Sequence, residues 1–220
     1  MKSCSTERAG IDDVKPSKND CQEREKTRSE LSGGAIILAE KLLARLPETG
    51  GLLVFGSVSY ESDDDILAWQ LALAIQIIGS KPTLLVQTGL PKLTEAQVGH
   101  NADQPGLTDV LVGATTLQQA LFPSRGRELA SLGYGTLRER TAELVMSEAF
   151  RGFIKTAMLQ FHWIFVHCPS LLDERYAASL IARSHAVVTT LKGGRGRAEC
   201  VRTIRDLCAQ LNRPFAGVIL

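Results

Sequence analysis

The chain has 220 residues, of which 44% are hydrophobic and 22% charged, with 25 Lys and Arg against 24 Asp and Glu. This length supports one globular domain with a full core, and the near-zero net charge argues against bulk binding to nucleic acid or a membrane surface. The longest apolar run, Ile66 to Ile78, is shorter than the ~20 residues of a bilayer span, and the charged N-terminus is unlike a secretory signal. The five cysteines form no CxxC pair, so we expect free thiols in a reducing compartment.

Residues 1–33 differ in composition from the rest of the chain. They contain seven basic and seven acidic residues and almost no apolar ones. Such a segment cannot offset its ordering entropy by burial, and we expect a disordered charged tail. Residues 34–220 are predicted to form a single folded domain.

The domain alternates short apolar runs with helical patterns. The first helix is predicted over Ala35 to Leu46, before Pro47. Near-continuous apolar runs of this kind are typical of strands buried on both faces of a parallel sheet. Predicted strands are Leu52–Phe55, Thr83–Val86, Ile164–Val166, Ala186–Leu191 and Phe215–Leu220, with helices at 65–79, 115–121, 141–159, 173–183 and 198–211. We therefore expect an α/β fold with a mostly parallel central sheet and helices on both faces; Pro91–Gly106 is the predicted long loop.

Three consecutive aspartates, Asp63, Asp64 and Asp65, follow the first predicted strand and open the next helix. This is where a wound α/β sheet commonly binds phosphate, but the segment has no lysine, and carboxylates repel phosphate. Ser62 with Asp65 fits a capping box, and acids suit a helix N-terminus. A magnesium or calcium site is the alternative, although adjacent carboxylates rarely converge on one ion without further ligands.

Two other segments carry weaker signals. Lys192 to Glu199 resembles a phosphate loop, but Arg197 and Ala198 replace its lysine and hydroxyl. We interpret it as a basic turn, with Arg195 and Arg197 as candidate contacts for an acidic partner. His167 and Cys168 end a predicted strand, where adjacent side chains point to opposite faces, which argues against a nucleophile–base pair. A zinc site would need more ligands at suitable spacing, and His162 also faces the other way, so a histidine with satisfied hydrogen bonds is expected at 167. Cys200 and Cys208, two helical turns apart, are expected to face the core.

Several segments together resemble the cytoplasmic domain of bacterial tyrosine kinases of the capsule and exopolysaccharide systems, relatives of the MinD/ParA group of P-loop ATPases. Gly106–Gly113 looks like the GLSDVLxG box of that family, and Ala142–Glu148 is similar to its pAELLsSe segment. Phe161–Asp173 corresponds to FDxVIIDTPPvxD, and Phe215–Leu220 matches its last strand. The resemblance extends from about Ala35 to Leu220 and implies a P-loop NTPase-like, three-layer αβα fold.

The positions that hold Mg-ATP in this family carry other residues here. The Walker A loop falls on Tyr60–Ile66, with Asp63 at a glycine position, Asp64 at the lysine position and Asp65 at a hydroxyl position. Gln87 and Gly89 replace both aspartates of the second acidic motif, and His167 replaces the Walker B aspartate. Because phosphoryl transfer rests on positioning and charge neutralisation, these replacements argue against catalysis.

The resemblance therefore implies a degenerate, pseudokinase-like protein that needs no cofactor, metal or catalytic residue. We expect a cytoplasmic adaptor in capsule or exopolysaccharide biosynthesis and export, whose partner is a membrane polysaccharide co-polymerase, chain-length or export protein. Such a partner could hold it peripherally at the inner face of the plasma membrane. No nucleic-acid partner is expected. Glu40 and Arg45 have the wrong spacing for the family's assembly helix, which favours a monomer or small homo-oligomer.

Two alternatives remain at this point. A tyrosine autokinase of the same pathway could bind Mg-ATP weakly through displaced groups such as Lys192, Arg195 and Arg197. A MinD/ParA-like positioning ATPase would require a membrane-targeting segment or a basic DNA-binding face, and neither is evident in the sequence.

Overall fold

A computed structural model describes residues 31, 33–58, 64–89, 104–123, 129–191 and 197–219. The helices are α1 (Gly33–Leu43), α2 (Asp64–Gly79), α3 (Leu107–Leu111), α4 (Leu117–Ala120), α5 (Thr141–Met146), α6 (Glu148–Ala157), α7 (Ala177–Arg183) and α8 (Arg197–Gln210), with a 3₁₀ turn at Arg138–Arg140. The strands are β1 (Gly51–Ser57), β2 (Thr83–Gln87), β3 (Leu121–Pro123), β4 (Leu129–Leu132), β5 (Trp163–Ser170), β6 (Ala186–Thr190) and β7 (Phe215–Ile219). Most of the predicted tail and most of the predicted Pro91–Gly106 loop lie outside these residues and stay predictions, whereas at the end of the tail Leu31 is buried in the core and Gly33 begins α1.

The strands form one seven-stranded sheet in the order β3-β4-β2-β5-β1-β6-β7. Every neighbouring pair is parallel except β3 and β4, which are antiparallel at one edge. All residues of β1, β2 and β6 are buried, as expected for strands covered by helices on both faces. The predicted α/β fold with a mostly parallel sheet is confirmed.

Two apolar clusters cover the two faces of the sheet. Alternate residues point to opposite faces, so Val54 and Val166 join one cluster while Phe55 and Phe165 join the other. The first cluster receives side chains from α3 to α8, and the second from α1 and α2. This arrangement gives the three layers and places α2 over the face that carries Phe55. Among the described helices, none is long and apolar enough to cross a membrane.

The structure adds α3, β3 and β4 to the predicted elements and changes two of the predicted helices. The predicted helix at 115–121 is only α4, and it runs directly into β3. The predicted helix at 141–159 is two helices, because Ser147 takes an extended conformation between α5 and α6 (φ −78°, ψ 170°). Both differences lie in segments of a few residues, where tertiary packing outweighs local helix propensity.

Three of the predicted free thiols are described. Cys168 and Cys208 are buried and Cys200 is half-buried, and none of the three is in a disulfide. Cys200 and Cys208 both contact the core, as predicted. Burial raises the pKa of Cys208 to about 11, which keeps this thiol protonated and unreactive near neutral pH.

Candidate functional site

The carboxyl ends of β1, β2 and β5 lie side by side because these strands are parallel and adjacent. His167 on β5 is in register with Phe55 on one neighbouring strand and with Gln87 on the other. Their side chains therefore share the face of the sheet that α2 covers. Ligands in wound α/β folds bind at this end of the sheet, so these residues occupy the expected position of a site.

The first turn of α2 brings Asp65 to this end of the sheet. The Asp65 Oδ1 and His167 Nδ1 atoms are 3.1 Å apart, within ion-pair distance, and both side chains are buried, with 9% and 2% of their surface exposed. Ser62, the other member of the predicted capping box, lies outside the described residues. Sequence reasoning assigned Asp65 a role within its own helix only, and the contact with His167 joins residues that are distant in the chain.

The prediction that His167 is a satisfied histidine is wrong within the described part of the chain. Neither of its ring nitrogens has a hydrogen-bond partner there, so the contact with Asp65 lacks hydrogen-bond alignment. The Gln87 Oε1 atom is also buried without a hydrogen-bond partner among the described residues. Buried polar atoms in folded proteins are almost always paired. Two neighbouring side chains with unpaired atoms at one end of a sheet therefore require an explanation.

The backbone around His167 is held firmly. The N–H and the hydroxyl of Thr88 both donate to the His167 carbonyl oxygen, at 3.1 and 2.8 Å. The Tyr176 hydroxyl in turn donates to the Thr88 carbonyl oxygen at 2.8 Å. Burial raises the pKa of Tyr176 well above its ordinary value, so it remains a donor. Sequence reasoning missed Thr88 and Tyr176, because neither carries a motif.

Gly89 and Pro169 contact each other closely across the ends of β2 and β5. A Cβ atom added at Gly89 would overlap the Cγ atom of Pro169. The predicted degenerate position Gly89 is therefore one where, with Pro169 in place, the backbone leaves no room for an aspartate. A larger residue requires a shift of the proline ring or of the chain.

Cys168 points to the opposite face from His167, as predicted, and is fully buried in the other apolar cluster. Burial raises the pKa of its thiol far above the ordinary value, with a further contribution from Glu174. The Sγ atom lies 3.3 Å from the carbonyl oxygen of Ser170. A protonated, buried thiol on the wrong face cannot act as a nucleophile with His167 as its base.

Several predicted site residues lie outside the described part of the chain: Asp63, Arg195, and the side chains of Asp64 and Arg197. Their roles stay predictions. Among the residues that the structure describes, no group of three or more His, Cys, Asp and Glu side chains could hold a metal ion.

The Gly106–Gly113 box forms a second polar constellation, away from the β1–α2 connection. The Asp109 carboxylate accepts hydrogen bonds from the N–H of Gly106, the N–H of Thr136 and the Thr136 hydroxyl. Burial acts to raise the pKa of Asp109, but these bonds outweigh it and hold that pKa below its usual value. The box thus fastens α3 to the segment that follows β4.

Glycines make this fastening possible. A Cβ at Gly106 would lie 2.5 Å from the Gly133 carbonyl oxygen. Gly135 has a φ of +96°, and a Cβ there would overlap the Thr108 hydroxyl oxygen. Thr108 uses that same oxygen to accept the Leu137 N–H at 3.1 Å. The box is consequently an architectural element.

Known structures share this fold at low sequence identity. The chain is similar to the kinase domain of VpsO, with 21% identity and a TM-score of 0.72 over 93% of this chain and 98% of that one. It is similar to the kinase domain of the Escherichia coli tyrosine kinase ETK, with 17% identity and a TM-score of 0.68 over 81% and 69% of the two chains. The Aquifex aeolicus cell division protein MinD gives 16% identity and a TM-score of 0.58 over 76% and 67%. The chain matches no family model and no curated protein.

These likenesses establish the fold. The chain has the architecture of bacterial tyrosine kinase domains and of MinD/ParA ATPases, as the sequence resemblance implied. In P-loop NTPases, Mg²⁺ is held by a hydroxyl of the P-loop and an aspartate at the end of a neighbouring strand. The positions that the sequence resemblance assigns to these two groups are Asp65 and His167, and the structure brings them into contact.

Proposed function

We propose that this protein is a non-catalytic member of the tyrosine-kinase fold that binds no Mg-ATP and serves as an adaptor in polysaccharide biosynthesis or export. The observation that carries the proposal is the contact between Asp65 and His167. It places an imidazole and a carboxylate, in direct contact, where a nucleotide-bound magnesium would require a hydroxyl and an aspartate. Magnesium prefers oxygen ligands with near-octahedral geometry. The residues present do not fit the Mg-nucleotide group.

The neighbouring positions support the same conclusion. Gln87 supplies no charge where the resemblance expects an acidic residue, and Pro169 fills the space at Gly89. The sheet and helices around these positions have the same fold as the kinase domains of VpsO and ETK. A protein that lost only one of these groups could recover nucleotide binding through a neighbour. Here the replacements occur together, and two of the residues, Asp65 and His167, are in contact, which favours a scaffold with a different use.

Isothermal titration with Mg-ATP tests the catalytic half of the proposal. The full-length protein should give no measurable heat of binding beyond dilution, while an ATP-binding kinase of the same fold serves as the positive control. A parallel incubation with labelled ATP should show no turnover and no phosphotyrosine. Micromolar binding of Mg-ATP would contradict the proposal and favour a divergent autokinase.

The proposed adaptor role is supported by the family resemblance. It is also supported by a kinase-like fold in which the positions that bind Mg-ATP in that family carry other residues. The expected partner is a membrane polysaccharide co-polymerase, chain-length or export protein. Tagged protein recovered from the membrane fraction of its own cells should bring down such a partner in stoichiometric amount. This role would be contradicted if the tagged protein is recovered without any protein of a polysaccharide system and if a strain that lacks the protein makes unchanged polysaccharide.

A further inference from the structure

We infer that Asp65, His167 and Gln87 form a binding site for a first-row divalent transition-metal ion such as Zn²⁺, held by the protein without a nucleotide. Asp65 at the start of α2 contacts His167 near the carboxyl end of β5, and Gln87 on β2 is in register with His167, on the same face of the sheet. They offer an imidazole nitrogen, a carboxylate oxygen and an amide oxygen. The inference depends on this geometry and does not depend on the proposed adaptor role.

The separation of the first two donors is compatible with a shared ion. Ligand atoms bound about 2.1 Å from one ion lie ~3.4 Å apart at a tetrahedral angle and ~3.0 Å apart at an octahedral angle. The Asp65 Oδ1 and His167 Nδ1 atoms are 3.1 Å apart. The imidazole is nevertheless not aligned to donate a hydrogen bond to that carboxylate. Two ligands of a common ion approach each other in this way without bonding directly.

The burial of the donors supports the same assignment. His167 and Gln87 each expose only 2% of their surface, and both ring nitrogens and the Gln87 Oε1 atom lack hydrogen-bond partners among the described residues. A buried polar atom without a partner costs roughly 1–3 kcal/mol. An ion that accepts electron pairs from one ring nitrogen of the imidazole and from the amide oxygen would remove this cost at those two atoms.

The donor chemistry selects the class of ion. Imidazole nitrogen is a preferred ligand of Zn²⁺, Cu²⁺, Ni²⁺ and Fe²⁺, whereas Mg²⁺ and Ca²⁺ are bound by oxygen. The surroundings also suit a tightly held ion, because the His167 backbone is fixed by Thr88 and the Phe55 ring lies 5.9 Å from the imidazole. Three protein donors leave at least one coordination position open for water. The site therefore differs in ion and in ligands from the magnesium site of P-loop NTPases.

Titration with Zn²⁺ and with Co²⁺ tests this inference on the full-length protein after removal of bound metal with a chelator. We expect one ion to bind per chain and to raise the unfolding temperature. Bound Co²⁺ should show visible d–d absorption without a thiolate charge-transfer band, because none of the proposed ligands is a cysteine. His167→Gln and Asp65→Asn should each weaken binding by on the order of a hundredfold, and Gln87→Leu by about tenfold.

His162→Gln is the matched control, since it removes a histidine at the opposite end of β5 and should leave the affinity unchanged. Circular dichroism establishes whether each variant is folded. If one of the three ligand variants does not fold, the other two still test the site. The inference is overturned if the folded wild-type protein binds neither ion, if His167→Gln binds as tightly as wild type, or if Co²⁺ shows thiolate ligation. Binding of Mg-ATP would refute the proposed function and leave this titration of nucleotide-free protein interpretable.

Discussion

The Gly106–Gly113 box and the carboxyl end of β5 are both polar, tightly packed regions, yet they differ in how their hydrogen bonds are satisfied. In the box, each oxygen of the Asp109 carboxylate accepts at least one hydrogen bond, and one accepts two. At the end of β5, the buried His167 and Gln87 leave polar atoms unpaired among the described residues. The first region holds the architecture together, whereas the second has the polar capacity to bind a ligand.

This contrast separates two kinds of family-like position. The box holds α3 and the segment after β4 together through hydrogen bonds to Asp109. The side chains of His167 and Gln87 make no comparable set of hydrogen bonds among the described residues. A family-like box therefore predicts the fold, while function has to be judged at the strand ends.

The largest expected effect comes from breaking the box at Gly135. Gly135→Ala should destabilise the protein by about 3 kcal/mol, because its positive φ strains an alanine and the new Cβ would overlap the Thr108 hydroxyl. Gly113→Ala is the matched control: its φ of +77° imposes similar strain, but nothing lies within 4 Å of the added Cβ. Urea denaturation of both variants separates the two causes. Equal losses would show that packing around Thr108 contributes nothing.

The next largest loss of stability is expected from substitution at the close contact between Gly89 and Pro169. Gly89→Ala should cost about 2 kcal/mol through its overlap with the proline ring. Pro169→Ala removes the Cγ and Cδ atoms of that ring, so the double variant should recover most of the loss caused by the alanine at 89. Denaturation of the four proteins gives the coupling energy. Additive losses would mean that the two residues do not exclude each other.

A smaller effect is expected at Asp109. Asp109→Asn should lower the free energy of unfolding by about 1.5 kcal/mol at pH 7, because hydrogen bonds to a charged carboxylate are stronger than those to an amide. The pKa of Asp109 is lower in the folded protein than its ordinary value of 3.8. Its contribution is therefore present above the unfolded-state pKa and is lost as the pH falls through the folded-state pKa.

Urea denaturation at pH 7 and at successively lower pH checks this sign. The difference in stability between wild type and Asp109→Asn should shrink below about pH 4. Thr136→Val, which removes one of the donors, should have a smaller effect at pH 7. A difference that stays constant down to pH 2 would show that the charge on Asp109 is not involved.

Much of the fold could be predicted from the sequence because strands buried on both faces give long apolar runs. β1, β2, β5, β6 and β7 were predicted in this way. β3 and β4 were missed, since β3 is three residues long and contains Pro123 and β4 includes Ala130 and Ser131. Such short edge elements are specified by their neighbours in the sheet and carry little signal of their own.

The candidate site was predictable in position but not in its contacts. Alignment with the family pattern placed Asp65, Gln87 and His167 at phosphate-binding positions, and the structure brings the first and last of them within 3.1 Å. The sequence pattern predicted a capping role for Asp65 within its helix and a strand-end position for His167, with no contact between them. The sequence could not predict that, among the described residues, the imidazole would have no hydrogen-bond partner beneath α2.

The smallest expected effect is at the position that corresponds to the P-loop lysine. Asp64→Lys should restore no measurable Mg-ATP binding, because a lysine compensates phosphate charge but cannot replace the missing glycines or the acidic residues at positions 87, 89 and 167. Titration calorimetry with Mg-ATP checks the variant beside wild type. Micromolar binding after this single change would mean that the remaining positions already fit the nucleotide. The proposal of a kinase-like architecture that does not bind Mg-ATP would then fail at its central point, since only one charge would separate this chain from an ATP-binding protein.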